Sequence, residues 1–216
     1  MKKTTTSNGL LKCNHSIACA KLLSFLILFF AINSSNASNY YWVGGTGNWS
    51  DFANHWATTS GGVIFNTTIP SPNDDVFFDS NSFLATGDTV LADSTIINCH
   101  NMDWSGVTNH PVFRIMQGGI LKLYGSLTFG VDMKCYSANI EFDASTLGNT
   151  ITSAGQMVSI LTFNNNSGSW TLLDSLKAIN VSVMHGTLNT NNNYVNCYDF
   201  TAGYYFAGGA TVLLGT

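Results

Sequence analysis

Past residue 92 the chain falls into short apolar segments bounded by Gly, Asn, Asp, Ser or Thr. Within a segment the apolar positions alternate with polar ones, as in Ile120-Leu121-Lys122-Leu123 and Ser126-Leu127-Thr128-Phe129. A period of two sends alternate side chains to opposite faces of a pleated strand. The pattern predicts strands at 95–98, 102–104, 112–115, 120–123, 126–129, 140–142 and 150–152. It continues at 160–163, 170–172, 181–184, 188–190, 195–197 and 211–214. No window keeps a helical period for the length of an ordinary helix.

Many short strands at regular spacing fit a sandwich, a barrel or a solenoid. A weak internal repeat favours the last. Leu123-Tyr124-Gly125-Ser126-Leu127 matches Leu172-Leu173-Asp174-Ser175-Leu176, and residues 138–143 align loosely with 186–191. Solenoid coils run from about 20 residues upward, so an offset of about 49 reads as two coils. In a parallel stack, Asn and Thr at the turns can bond to the coils beside them. Asn164-Asn165-Asn166 and Asn191-Asn192-Asn193 are the natural corners. The expected fold is all-β, a parallel β-helix of about five coils, with a β-sandwich as the alternative.

Residues 38–92 read differently. They are aromatic and heavily punctuated, with Tyr40-Tyr41-Trp42-Val43-Gly44-Gly45 leading to Gly47-Asn48-Trp49-Ser50 and then Trp56. Pro70-Ser71-Pro72 marks a turn, and Val76-Phe77-Phe78 reads as a buried strand. This segment is expected to be an N-terminal aromatic cap on a β-helix spanning 93–216.

Composition agrees. Only 9% of residues are charged and 45% are hydrophobic, which argues against disorder. The Glu, Lys, Arg and Gln that clothe exposed helices are scarce. At the front, Lys2, Lys3, Lys12 and Lys21 precede the apolar run 22–32 and a small polar stretch ending at Ala37. That order is a secretory signal peptide over residues 1–37, and its apolar run is too short for a membrane anchor of roughly 20 residues. The mature part is therefore expected to be secreted or on the outer cell surface, with no stable membrane insertion.

Removal of the leader sharpens the charge. Arg114, Lys122, Lys134 and Lys177 then face all twelve acids, a net charge of about −8. A protein so acidic lacks the basic footprint that displaces phosphate counterions, which excludes nucleic acid as a partner.

The segment Tyr41-Trp42-Val43-Gly44-Gly45, Gly47-Asn48-Trp49-Ser50-Asp51, then Asn54 and Trp56, resembles the opening of large secreted surface proteins of gliding Gram-negative bacteria. The segments 72–79, 102–107 and 186–191 fit the same pattern. The resemblance implies a right-handed parallel β-helix like an autotransporter passenger, and export by type IX secretion. It also implies architecture more than a defined activity, and further domains downstream. The apolar strand at the chain's end, with no polar cap after it, fits the same expectation of a fragment.

Several residues could carry chemistry. Trp42, Trp49 and Trp56 recur every seven positions and could stack on sugars, or else cover the first coil. Asp74, Asp75 and Asp79, with Asn73 and Asp51 nearby, are the densest oxygen cluster and a candidate calcium site, or else turn residues bonding their own backbone. For polysaccharide cleavage, Asp143 with Asp174, or Arg114 with Lys122, could converge on one face, although no spacing requires it. The histidines show no ligand spacing. Cys99, Cys135 and Cys197 are odd in number and sit among apolar residues, so reduced core thiols are expected. The reading is a non-catalytic structural or adhesive module, with surface glycans or other surface proteins as partners. A carbohydrate-binding module is the alternative, and a polysaccharide-degrading enzyme the third.

Overall fold

The structure, a computed structural model, describes residues 37–136, 138–203 and 209–215. The signal peptide assigned to residues 1–37 lies outside them, apart from Ala37. The described chain is almost entirely β and stacks into a parallel solenoid of about six turns. A β-sandwich would need antiparallel strands in two packed sheets. Here, one short strand near the N-terminal end apart, the strands pair in parallel with their counterparts in the neighbouring coils.

Three faces make up a coil. On the first lie β1 (Asn39–Trp42), β4 (Asp75–Phe77), β7 (Met102–Asp103), β10 (Leu127–Thr128) and β13 (Asn149–Thr152). Their register stacks Tyr40, Val76, Met102, Leu127 and Ile151 in one inward column. On the second lie β6 (Ile96–Cys99), β9 (Ile120–Leu123) and β12 (Asn139–Phe142), which stack Ile97, Leu121 and Ile140. The third holds β2 (Gly47–Asn48), β5 (Thr89–Ala92), β8 (Val112–Ile115) and β11 (Lys134–Tyr136), with Val90, Phe113 and Cys135 inward. Two long strands, β14 (Met157–Leu172) and β15 (Leu176–Asn189), bend through all three faces and pair with each other along most of their length. Beyond them, β16 (Val195–Asn196), β17 (Asp199–Ala202) and β18 (Ala210–Leu213) each pair with β15.

The alternation seen in the sequence is what closes this tube. Leu121, Leu123, Leu127 and Phe129 are buried, and Lys122, Tyr124, Ser126 and Thr128 between them are partly exposed. Each large apolar side chain so buried contributes roughly 1.5–3 kcal/mol. Stacked rings fill the wider coils, as with Phe142 over Phe163 at 5.0 Å and Phe78 over Trp104 at 3.6 Å. Cys99 and Cys135 are buried and Cys197 is partly so, and all three are free thiols. Burial pushes the Cys135 thiol up to about 12, and burial followed by the nearby Asp75 and Asp74 raises Cys99 well above its ordinary value.

Two expectations need correction. The solenoid does not begin at residue 93, because β1 and β2 already pair in parallel with β4 and β5. The cap is smaller: a short helix, α1 (Phe52–His55), β3 (Trp56–Ala57) and the loop that follows, with β3 antiparallel to β1. The offset of 49 is not a double coil either. Leu123 ends a second-face strand, whereas Leu172 ends a first-face segment, so the match aligns two different corners built from similar turn residues. Inter-coil hydrogen bonds instead link residues mostly 20 to 26 apart.

Candidate functional site

The three tryptophans are core, not platform. Trp42, Trp49 and Trp56 are all 0% exposed, so no indole face is open to a sugar. Trp42 and Trp49 meet Trp56 edge-on at 5.0 and 4.7 Å. Trp42 Nε1 donates to the Gly45 carbonyl and Trp56 Nε1 to that of Trp49. His55 is part of this cap. Its ring stacks on Trp42 at 4.5 Å and its Nδ1 lies 2.7 Å from the Val43 carbonyl.

The acidic loop is tied to its own turns and to the strands beside it. Asp74 is buried and accepts from the amides of Ser38 and Ser71. Asp75 Oδ1 accepts from the backbone and side-chain nitrogens of Asn101 and lies 2.9 Å from His100 Nδ1. Asp79 accepts from the Asn81 amide. With oxygens divided among separate turns, Asp74, Asp75 and Asp79 do not form the calcium site the sequence suggested. Among the described residues no three His, Cys, Asp or Glu side chains are grouped to hold a metal ion. Asp88 follows the same habit: burial raises its carboxyl, but bonds from Ala85, Thr46 and Leu84 outweigh this and hold it below the ordinary value.

The catalytic candidates are separated. Asp143 follows β12 at the corner leading onto the first face, and Asp174 lies at the far end of that face. Asp174 accepts from the amides of Ser153 and Ala154 in the preceding coil, at 2.7 and 2.6 Å. Asp143 accepts from Asn165. Arg114 is on the third face and Lys122 on the second. Lys122 pairs with Glu141 at 2.9 Å, and that bond holds its ammonium above the ordinary value. Asn164 extends the row by donating to Glu141, and its Oδ1 lies 3.0 Å from His185 Nδ1. These polar side chains bridge consecutive coils rather than pointing at a common centre.

The third face differs. Phe113, Cys135, Val158 and Ala178 point inward along it. On their flanks, one outward row carries Lys134, Met157, Lys177 and Asn196, and the other Arg114, Tyr136, Ser159, Ile179 and Tyr198. Three of the four basic residues beyond residue 37 therefore share one face. Arg114, Lys134 and Lys177 are exposed, and among the described residues none is paired with a carboxylate. The Arg114 guanidinium lies 5.9 Å from the centre of the Tyr136 ring. Two open clefts run along the edge of this face. One, of about 550 Å³, is lined by Arg114, Gln117, Tyr136, Asn139 and Ser159. The other, of about 380 Å³, is lined by Met157, Lys177, Ile179, Asn196 and Tyr198. The sequence reading missed this grouping, because the cations are 20 or more residues apart and meet only once the coil length is known.

No protein-family model, curated protein or solved structure matches the chain.

Proposed function

We propose that the chain is a non-catalytic structural and adhesive module of an exported protein, displayed at or released from the outer cell surface. The observation that carries this reading is the destination of the polar side chains. Asp75, Asp174, Glu141 and Asn165 reach across to neighbouring coils, which suits a rod-like body built for persistence outside the cell. The leader at residues 1–37 and the aromatic opening at 41–56, with its likeness to secreted surface proteins of gliding bacteria, support the same setting. Partners would then be surface glycans or other surface proteins.

The test is to express the full chain with a C-terminal epitope in a gliding Gram-negative host. The expected result is a product outside the cytoplasm with a new N-terminus at Ser38, sensitive to protease added to intact cells. Full retention in the cytoplasm with the leader attached would defeat the proposal, as would turnover of a polysaccharide panel by the purified protein.

A further inference from the structure

We infer that the third face, built on β8, β11 and the opening residues of β14, β15 and β16, is a docking surface for a linear carboxylated polysaccharide. The inference deepens the adhesive reading and rests on it for its biological setting.

Charge carries the argument first. Outside the leader, twelve acids face four bases, yet the strand positions pointing outward on this face from Val112 to Tyr198 include three cations and no acid. The acids around it sit at the corners and are engaged there: Asp132 is paired with His110 at 2.6 Å, Asp174 accepts from the Ser153 and Ala154 amides, Asp88 and Asp93 at the two ends of β5 accept from Thr46 and Ser50, and Asp199 opens β17 on the second face. Among the described residues an otherwise acidic body thus gathers its unpaired cations on one strip, and an anion is steered to it. Lys122, the remaining base, is taken up by Glu141.

Shape and hydrogen-bonding capacity then narrow the ligand. Coils rise by roughly 4.8 Å, close to the advance of one pyranose unit along an extended chain. Arg114 and Tyr136 lie one coil apart in register, as do Met157 and Lys177, so the strip presents its groups at that repeat. Arg114 offers a planar fork that matches a carboxylate bidentately. Tyr136 and Tyr198, 45% and 93% exposed, offer ring surface for sugar faces. Gln117 and Ser159 have no side-chain hydrogen bond among the described residues, which leaves them for ring hydroxyls.

A nucleic acid fits less well. It packs about one charge per 1.7 Å of duplex, and three cations on a body near −8 cannot hold so dense a polyanion. A polymer with one carboxylate per sugar suits three spaced cations.

The experiment is biolayer interferometry of the purified full chain on immobilised polygalacturonate, with dextran, a single-stranded DNA oligonucleotide and phosphatidylserine vesicles as competitors. Binding should weaken with added salt, and polygalacturonate alone should compete for itself. The triple variant Arg114→Gln/Lys134→Gln/Lys177→Gln should lose roughly tenfold or more in affinity. All three side chains are exposed, so the fold is kept, which circular dichroism checks. Lys122→Gln should bind as the parent does. The inference is overturned if the parent does not bind, if the triple variant binds as tightly as the parent, or if DNA, vesicles or dextran compete as well as polygalacturonate. Export and binding are read separately, so a chain that binds but is never exported defeats the adhesive setting and spares the ligand.

Discussion

At the scale of single residues, the aromatic opening shows how a functional pattern and a structural one share the same letters. A tryptophan every seven positions serves a sugar platform or a core equally well, and composition cannot choose between them. What decides is which side of β1 the ring leaves from, and Trp42 follows Tyr40 on the inward side. The neighbouring glycines are explained by the same packing. A Cβ on Gly47 would run into the imidazole of His55, which is sandwiched against Trp42. A Cβ on Gly45, at φ +74°, would meet the Asp88 carboxylate at 2.7 Å. Gly47→Ala is therefore expected to cost about 1–3 kcal/mol, since a rigid ring must shift inside a filled cap. Chemical denaturation of the single variant and of Gly47→Ala/His55→Ala checks this. The double variant should lose less than the two single losses added together. A Gly47→Ala protein as stable as the parent would show that His55 has room to move.

At the scale of elements, the strands with clean alternation were legible and those without it were not. β8 and β9 fall on the expected residues, because in each two buried apolar side chains alternate with less buried ones. β11 was missed, since Lys134-Cys135-Tyr136 has one inward residue, and β17 was missed because all four of its residues are exposed. β5 was absorbed into the supposed cap. The corners were half legible. Asn191 and Asn192 do turn the chain, with φ of 51° and 63°, whereas residues 164–166 stay in β14 and pass the corner through a register shift. Turn residues that recur at every corner also produced the false repeat, because similar chemistry does not mark equivalent position. The corners owe their stability to inter-coil acceptors, and Asp174 tests that. Asp174→Ala strips two short bonds from the Ser153 and Ala154 amides and should cost about 1–3 kcal/mol. Hydrogen exchange should quicken at those two amides, while circular dichroism keeps its strand signal. Unchanged exchange would mean that water replaces the carboxylate at no cost.

At the scale of the whole molecule, the architecture was readable because one property, alternation with frequent turns, extends over the entire stack. The behaviour of its two ends was less so, since it depends on which coil each aromatic covers. One end is closed. Trp42 and Trp49 interlock with Trp56, the first residue of β3, and Phe78 packs on Trp56 at 5.7 Å. At the other end, β16, β17 and β18 pair with β15 alone among the described residues. Side chains that would be core elsewhere lie partly open there: Phe200 is 39% exposed and Leu214 76%. With Val195 and Val212 they line a recess of about 530 Å³. An edge of unpaired backbone groups beside uncovered apolar surface templates pairing with another chain. The chain is therefore expected to self-associate as concentration rises, through this end and not through the closed one. Sedimentation velocity over a concentration series measures it. Phe200→Lys/Leu214→Lys should shift the population toward monomer, because two cations facing each other across a paired edge repel and the apolar contact is lost. Ile64→Lys, at an exposed position near the closed end, should leave association unchanged. Association that survives the double substitution, or that Ile64→Lys abolishes, would place the contact elsewhere on the molecule.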